Sequence, residues 1–334
     1  MIVERELTEP VSLTDERGRL NPAAVGWSRR ALHDTSGVTR AGWGRAKRWE
    51  YWSVIGPRFI VALTVSAVDY AGVEEVWVFD RQTGREWSKV VISPFARGVQ
   101  LLPSLGDGLA RAHVGELTAE VVQSGSETRL RVRIPGVEAE LRATRPAGQE
   151  LLAVVVPWSS TRFQFTVKDV ALPATGTVTI DGVAYPIDDG GGAWAVLDHG
   201  RGRWPYDVRW QWGAGSGVVD GRRIGVQLGG RWTDGTGSTE NCLFVDGRAH
   251  KISEELVWEF DPQNWLGPWR VRGERADLVL TPFHDKASRT QLGVIAARTD
   301  QCFGVWSGWM AADDGERVRV DGAVGFAEDV HNRW

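Results

Sequence analysis

Polar and apolar residues alternate with a period of two along much of this chain. In Thr128-Arg-Leu-Arg-Val-Arg-Ile134 and Glu316-Arg-Val-Arg-Val320 the arginines fall on one side and the aliphatic residues on the other, as in a strand with one buried face. Between such segments stand Asp-Gly pairs at 107–108, 181–182, 220–221, 234–235, 246–247, 314–315 and 321–322. Asp-Gly suits the type I′ hairpin, whose two central residues both need positive φ. Helical periodicity is nearly absent, and the one stretch that predicts a helix is short, near Pro22 to Leu32. Antiparallel strands joined by hairpins must each bury a face, which a sandwich or a closed barrel accomplishes.

The pattern runs twice. Ala195-Val-Leu-Asp-His-Gly-Arg-Gly-Arg-Trp204 returns as Gly325-Phe-Ala-Glu-Asp-Val-His-Asn-Arg-Trp334, with the same spacing from the acid to Arg-Trp. Arg48-Trp49 opens a first unit as Arg203-Trp204 opens a second. Three more likenesses follow in order: Arg58 to Asp80 with Arg223 to Asp246, Arg131 to Leu141 with Arg270 to Leu278, and Thr177 to Gly182 with Arg317 to Gly322. Their unequal gaps exclude a short solenoid or propeller period. The chain is therefore expected to be all-β, with two tandem antiparallel β-barrels or strongly curved sheets related by internal duplication. The expected division is an irregular lead at 1–40, a first barrel-like unit at 41–196 and a second at 197–334.

Composition narrows the function. With 334 residues and 42% hydrophobic content, the chain can bury a large core without disulfides or metal. A net charge of −4 argues against a nucleic-acid partner, which calls for clustered basic excess. The start, Met1-Ile-Val-Glu-Arg-Glu, lacks the basic and apolar regions of a secretory signal, and no apolar run is long enough for a membrane helix; the expectation is a cytoplasmic protein without membrane insertion. Cys242 and Cys302 sit in apolar strand-like contexts and read as buried reduced thiols. Eighteen Trp against two Met point to a rigid aromatic interior. Either these indoles plug barrel ends, or Trp194, Trp204, Trp210, Trp212, Trp306 and Trp309 line a ligand pocket to which Arg201 contributes.

Candidate chemistry concentrates near the junction of the two units. Asp198 and Glu328 recur in equivalent places ahead of Arg203 and Arg333, so each reads either as an Arg partner closing a barrel or as an acid. His199 differs, because its counterpart is Asp329; it is a proton carrier or a satisfied half-buried imidazole. The six His are scattered without metal-ligand spacing, so neither a metal nor a cofactor is expected. Asp198 with Glu240 or Glu328 offers a carboxylate pair for glycoside hydrolysis, a lower-ranked alternative.

Gly18-Arg-Leu-Asn-Pro22, Gly26-Trp-Ser-Arg29, Lys47-Arg-Trp-Glu-Tyr-Trp52, Asp69-Tyr-Ala-Gly72, Asp198-His-Gly-Arg-Gly-Arg-Trp-Pro-Tyr206, Trp210-Gln-Trp212 and Arg333-Trp334 together resemble the bacterial DUF2804 family, whose function is undetermined. More distantly, an Asp-His pair followed by Trp at the junction is similar to the AttH-like group, which includes carotenoid 1,2-hydratases. There the motif is Asp-His-x-Trp, and here three extra residues separate His199 from Trp204. That resemblance implies lipocalin-like barrels and a small hydrophobic or polycyclic ligand transformed without a cofactor, by a hydratase, isomerase or cyclase. Asp198 or His199 would be the acid, Trp204, Trp210 and Trp212 the cation-facing walls, and Tyr206 an orienting hydroxyl. The alternative is a non-catalytic carrier or sensor of an acyl or isoprenoid ligand.

Overall fold

A computed structural model describes residues 2–292 and 295–333. It is all-β, built on two curled antiparallel sheets of fourteen and ten strands. Each sheet begins at a strand that pairs with the last strand of its own unit: Ala46–Ile55 with Ala193–Arg203 in the first, and Asp207–Val219 with Ala323–Arg333 in the second. Beyond these closing strands lie the long strands Arg162–Ile180 and Ile295–Ala311, again at equivalent places. The shared strand order is the internal duplication in three dimensions. The change of sheet falls between Arg203 and Asp207, later than the expected 196/197 division, because the strand carrying Asp198 runs on to Arg203.

The turns follow their chemistry. Asp181-Gly182, Asp220-Gly221 and Asp246-Gly247 have positive φ at both positions, the type I′ geometry. Two sequence likenesses shift. Arg48-Trp49 corresponds to Arg209-Trp210 on the opening strand of the second sheet, rather than to Arg203-Trp204. Thr177–Ile180 lies on a long strand, whereas Arg317–Arg319 is the short strand that follows one. Trp334 lies outside the described residues. The helix expected near Pro22 to Leu32 is only the 3-10 turn Pro22–Ala24, after which Trp27–Ser28 pairs with the first sheet. Pro22 suits the start of that turn, and its Asn21 cap is satisfied by Ala23.

Alternation divides the core in three. Odd residues of Ala193–Arg203, such as Ala195 and Leu197, enter the interior of the first barrel, while Val196 faces the other way. A second interior gathers around Leu228, Trp269, Leu278 and Trp306. Between the sheets lies a third apolar layer, contributed by both: Tyr51, Trp77 and Val196 from one, Trp212, Phe303 and Phe326 from the other. The N-terminal lead packs Leu13, Leu20 and Val38 over Phe163 and Phe165, and buried Glu4 reaches the second sheet at Lys251 and Thr239. Cys242 and Cys302 are free and buried. Among the described residues no helix is long and apolar enough to cross a membrane.

Candidate functional site

Two rows of side chains meet face to face between the barrels. In the first sheet Tyr51, Asp198 and Lys168 are cross-strand neighbours on three adjacent strands. In the second, Trp212, Glu328 and Gln301 hold the equivalent positions. Two residues earlier on each opening strand, and so on the same face, stand Trp49 and Trp210. The Trp49 indole donates to Asp198 Oδ2 at 2.9 Å and the Trp210 indole to Glu328 Oε1 at 2.8 Å. Lys168 Nζ lies 2.9 Å from Asp198 Oδ1, and Gln301 Nε2 donates to Glu328 Oε2 at 2.9 Å. The rows interlock: the Tyr51 hydroxyl donates to Gln301 Oε1 at 3.3 Å, and Lys168 Nζ sits 4.2 Å over the Trp212 ring.

A third carboxyl belongs to Glu240, whose counterpart in the repeat, Glu74, faces the first barrel's interior on the side of Val76 and Val78. Glu240, just before the strand Asn241–Val245, accepts from the Trp232 indole on Oε2 at 2.7 Å, and its Oε1 is buried without a hydrogen-bond partner. Gly229 makes room, since a Cβ there would stand 2.7 Å from Oε2. Gly200 does the same for Trp49, whose ring would lie 2.1 Å from an added Cβ. Thus each of three buried carboxyls is held by its own indole N–H, and among the described residues no cluster of His, Cys, Asp or Glu converges to hold a metal ion.

Trp204 sits at the hub of the indoles, with ring centroids 5.2 Å from Trp49, 5.5 Å from Trp210, 5.6 Å from Trp232 and 6.0 Å from Trp158. Its N–H donates to Gln164. Trp158 and Trp232 also wall an open cleft of about 700 Å³ at the edge of the second barrel.

Burial sets the protonation of the acids. The Glu240 carboxyl is pushed up to about 7 by burial, against the pull of Lys168. Burial likewise lifts Glu328 to about 7, opposed by the Trp210 N–H and Lys168. Near neutral pH both can therefore carry a proton. Burial, with Glu328 nearby, holds the Tyr51 hydroxyl far above its ordinary value, so it stays a donor.

Of the residues expected from sequence, Asp198, Glu240, Glu328, Trp204, Trp210 and Trp212 come together here. The others do not. His199 follows Asp198 on a strand and so faces the first barrel's interior, 3.5 Å from Glu50. There burial and Arg201 push its pKa down to about 4. Arg201 is on the same side, donating to the carbonyls of Trp49, Gly200 and Leu102. Tyr206 is 41% exposed, outside the centre. Trp194 lies on the Asp198 face but four residues away, about 13 Å along the strand. Trp306 fills the second barrel, its N–H on Ala214, and Trp309 lies under Arg317 at the periphery.

The expected Arg partners are also replaced. Arg203 donates to the carbonyls of Val38, Ala41 and Gly42, while Asp198 takes Lys168. Glu328 takes Trp210 and Gln301, and Arg298 reaches Asp329. Lys168 escaped the sequence reading although it had a signal: Gln164, Thr166 and Lys168 form a polar stripe opposite Phe163, Phe165 and Val167. Thr166 donates to Asp198 as well.

Comparison with known proteins adds a family and a fold. The family described as "Domain of unknown function (DUF2804)" matches residues 4–334. No curated protein matches the chain. Kievitone hydratase from Nectria haematococca has a similar structure, with a TM-score of 0.52 and 10% identity over 87% of this chain and 89% of that one. A putative AttH from Nitrosomonas europaea gives 0.51 and 11%, over 86% and 92%. At such identities the likeness concerns the fold.

Proposed function

The chain belongs to the DUF2804 family, and we propose that it transforms a small hydrophobic or polycyclic metabolite by side-chain acid–base chemistry between its barrels. The reaction would be of the hydratase, isomerase or cyclase type. One observation carries the reading: Glu240 combines a pKa of about 7 with a buried, unpartnered Oε1, beside the Asp198–Lys168 pair and a wall of indoles. A protonated carboxyl without a competing acceptor is an available acid, and its pKa suits transfer near neutral pH.

In the hydratase form, Glu240 gives its proton to one carbon of an alkene. The cation left on the other carbon is stabilised by the indole faces of Trp210 and Trp232. Water adds its oxygen there, and its proton passes to Asp198, which Lys168 pairs at 2.9 Å. An isomerase omits the water and returns a proton from carbon to Asp198. Glu328 accepts from Trp210 and Gln301 and orients the indole wall. The likeness to a protein named kievitone hydratase supports this direction through the fold.

The test is to incubate the protein with a lipid-soluble cell extract and identify retained and altered compounds by native mass spectrometry. Wild type is expected to convert a compound that Glu240→Gln and Asp198→Asn only retain. Equal, unaltered retention by all three would replace the enzyme with a carrier.

A further inference from the structure

Next to the inter-barrel centre, with which it shares Trp232, the cleft of about 700 Å³ at the edge of the second barrel has a chemistry of its own. Its walls include the indoles of Trp158, Trp232 and Trp258, and the buried amide of Gln211, 4% exposed, lines it as well. The Trp258 N–H is buried with no hydrogen-bond partner. Gly230 and Gly213 clear space for that ring, since a Cβ on either would stand 2.8 Å or 3.2 Å from it. Asp207 and Arg209, Arg231 and Asp234 add two acids and two bases. Arg231 has a left-handed backbone, φ 66°, in the turn that delivers Trp232 to Glu240.

These features select a ligand class. Flat indoles favour a ligand with an apolar face, and an orphaned N–H beside a buried amide needs polar groups at depth. A wholly apolar metabolite would leave that N–H unmet. Balanced charges at the cleft give no net field for an anion or a cation, while carboxylates and guanidinium groups together match hydroxyls that both donate and accept. A pyranose ring has these properties at once: one face of C–H groups and a girdle of hydroxyls. The volume lies in the range of small-molecule sites.

We propose that this cleft binds the ring of a neutral sugar, free or as the glycosyl group of a larger metabolite. The inference does not rest on the acid–base reading; loss of turnover and loss of sugar binding are separate results. The test uses isothermal titration and saturation-transfer NMR with glucose, galactose, xylose, cellobiose, maltose and phenyl glucoside. At least one should bind. Trp258→Phe, which keeps a ring and removes the N–H, should weaken that binding about tenfold, and Trp258→Ala should abolish it. Asp234→Ala, at an exposed position, gives a second reading if the Trp258 variants do not fold, and should weaken binding too. Tighter binding of phenyl glucoside than of glucose would assign the glycosyl group of an apolar metabolite; equal binding would assign the free sugar. No binding by any of the six, or binding unchanged in folded Trp258→Ala and Asp234→Ala, overturns the proposal. So does benzoate binding that is lost in Arg209→Ala, which would make the cleft an anion site.

Discussion

Replacing Lys168 with Met removes the only cation in contact with Asp198 among the described residues while keeping the bulk of the side chain. The lysine side chain is 3% exposed and that of Asp198 11%, so solvent cannot take over the role of counter-charge. Trp49 and Thr166 would still donate to the carboxylate, but two neutral donors do not balance a buried charge. The cation–π contact with Trp212 goes as well. Breaking a buried pair on one side costs about 3–5 kcal/mol, a large part of the roughly 5–15 kcal/mol that holds a typical domain together. Urea denaturation followed by tryptophan fluorescence should show a loss of that size, and Lys168→Met with Asp198→Asn should recover most of it. A single variant within about 1 kcal/mol of wild type would place the pair among ordinary surface pairs. A double variant no better than the single would show that the ammonium's charge is not what matters.

Three further outcomes follow from the same centre. The carboxyls of Glu240 and Glu328, raised to about 7 from 4.5, bind protons more tightly folded than unfolded, so their contribution falls as pH rises from about 4.5 to 7 and is level above. Denaturation midpoints measured across that window should drop less in Glu328→Gln than in wild type; parallel curves would contradict the assignment. Gly200→Ala should drive the Trp49 ring off Asp198 at a cost of about 1–3 kcal/mol, read as a lowered melting temperature and an altered tryptophan emission. His199 has the opposite sign: its folded pKa is depressed to about 4 from 6.5, so its share of stability is lost as pH falls through that range. His199→Gln should narrow the acid-side loss, and it should leave conversion of the inter-barrel substrate in place; abolished conversion in a folded His199→Gln protein would return the imidazole to the chemistry.

The fold was legible because its information is local. Period-two alternation and Asp-Gly turns are properties of neighbouring residues, and the duplicated acid at 198 and 328 marked equivalent strands before any contact was known. The site was legible only in part because it is assembled across two sheets. Asp198 and His199 are adjacent in sequence and therefore on opposite faces of a strand, so the pairing that looked chemical is divided by the pleat. The stripe of Gln164, Thr166 and Lys168 reads as a solvent-facing strand edge, yet all three are buried, because a second barrel covers them. Nothing local in the sequence announces that cover. Trp49 is matched in the sequence to Trp204, whereas its structural counterpart is Trp210, and the partners of Trp49 and Trp210 on the closing strands are 149 and 118 residues away. Glu240 aligns with Glu74 in the repeat, yet it acquires its role from Trp232 and from burial between the barrels, which the alignment does not carry.

The interface between the barrels keeps carboxyl groups that can carry a proton near neutral pH beside the Asp198–Lys168 pair. Carbon-13 NMR of glutamate side-chain carboxyls, titrated from pH 4 to 9 in wild type, Glu240→Gln and Glu328→Gln, tests it most directly. Two glutamate resonances should have midpoints near 7, one absent from each variant, while that of Glu74, raised by burial to about 8, persists in all three proteins. If Glu240 and Glu328 both titrate near 4.5, the interface holds ionised acids only, and the proposed proton donor does not exist.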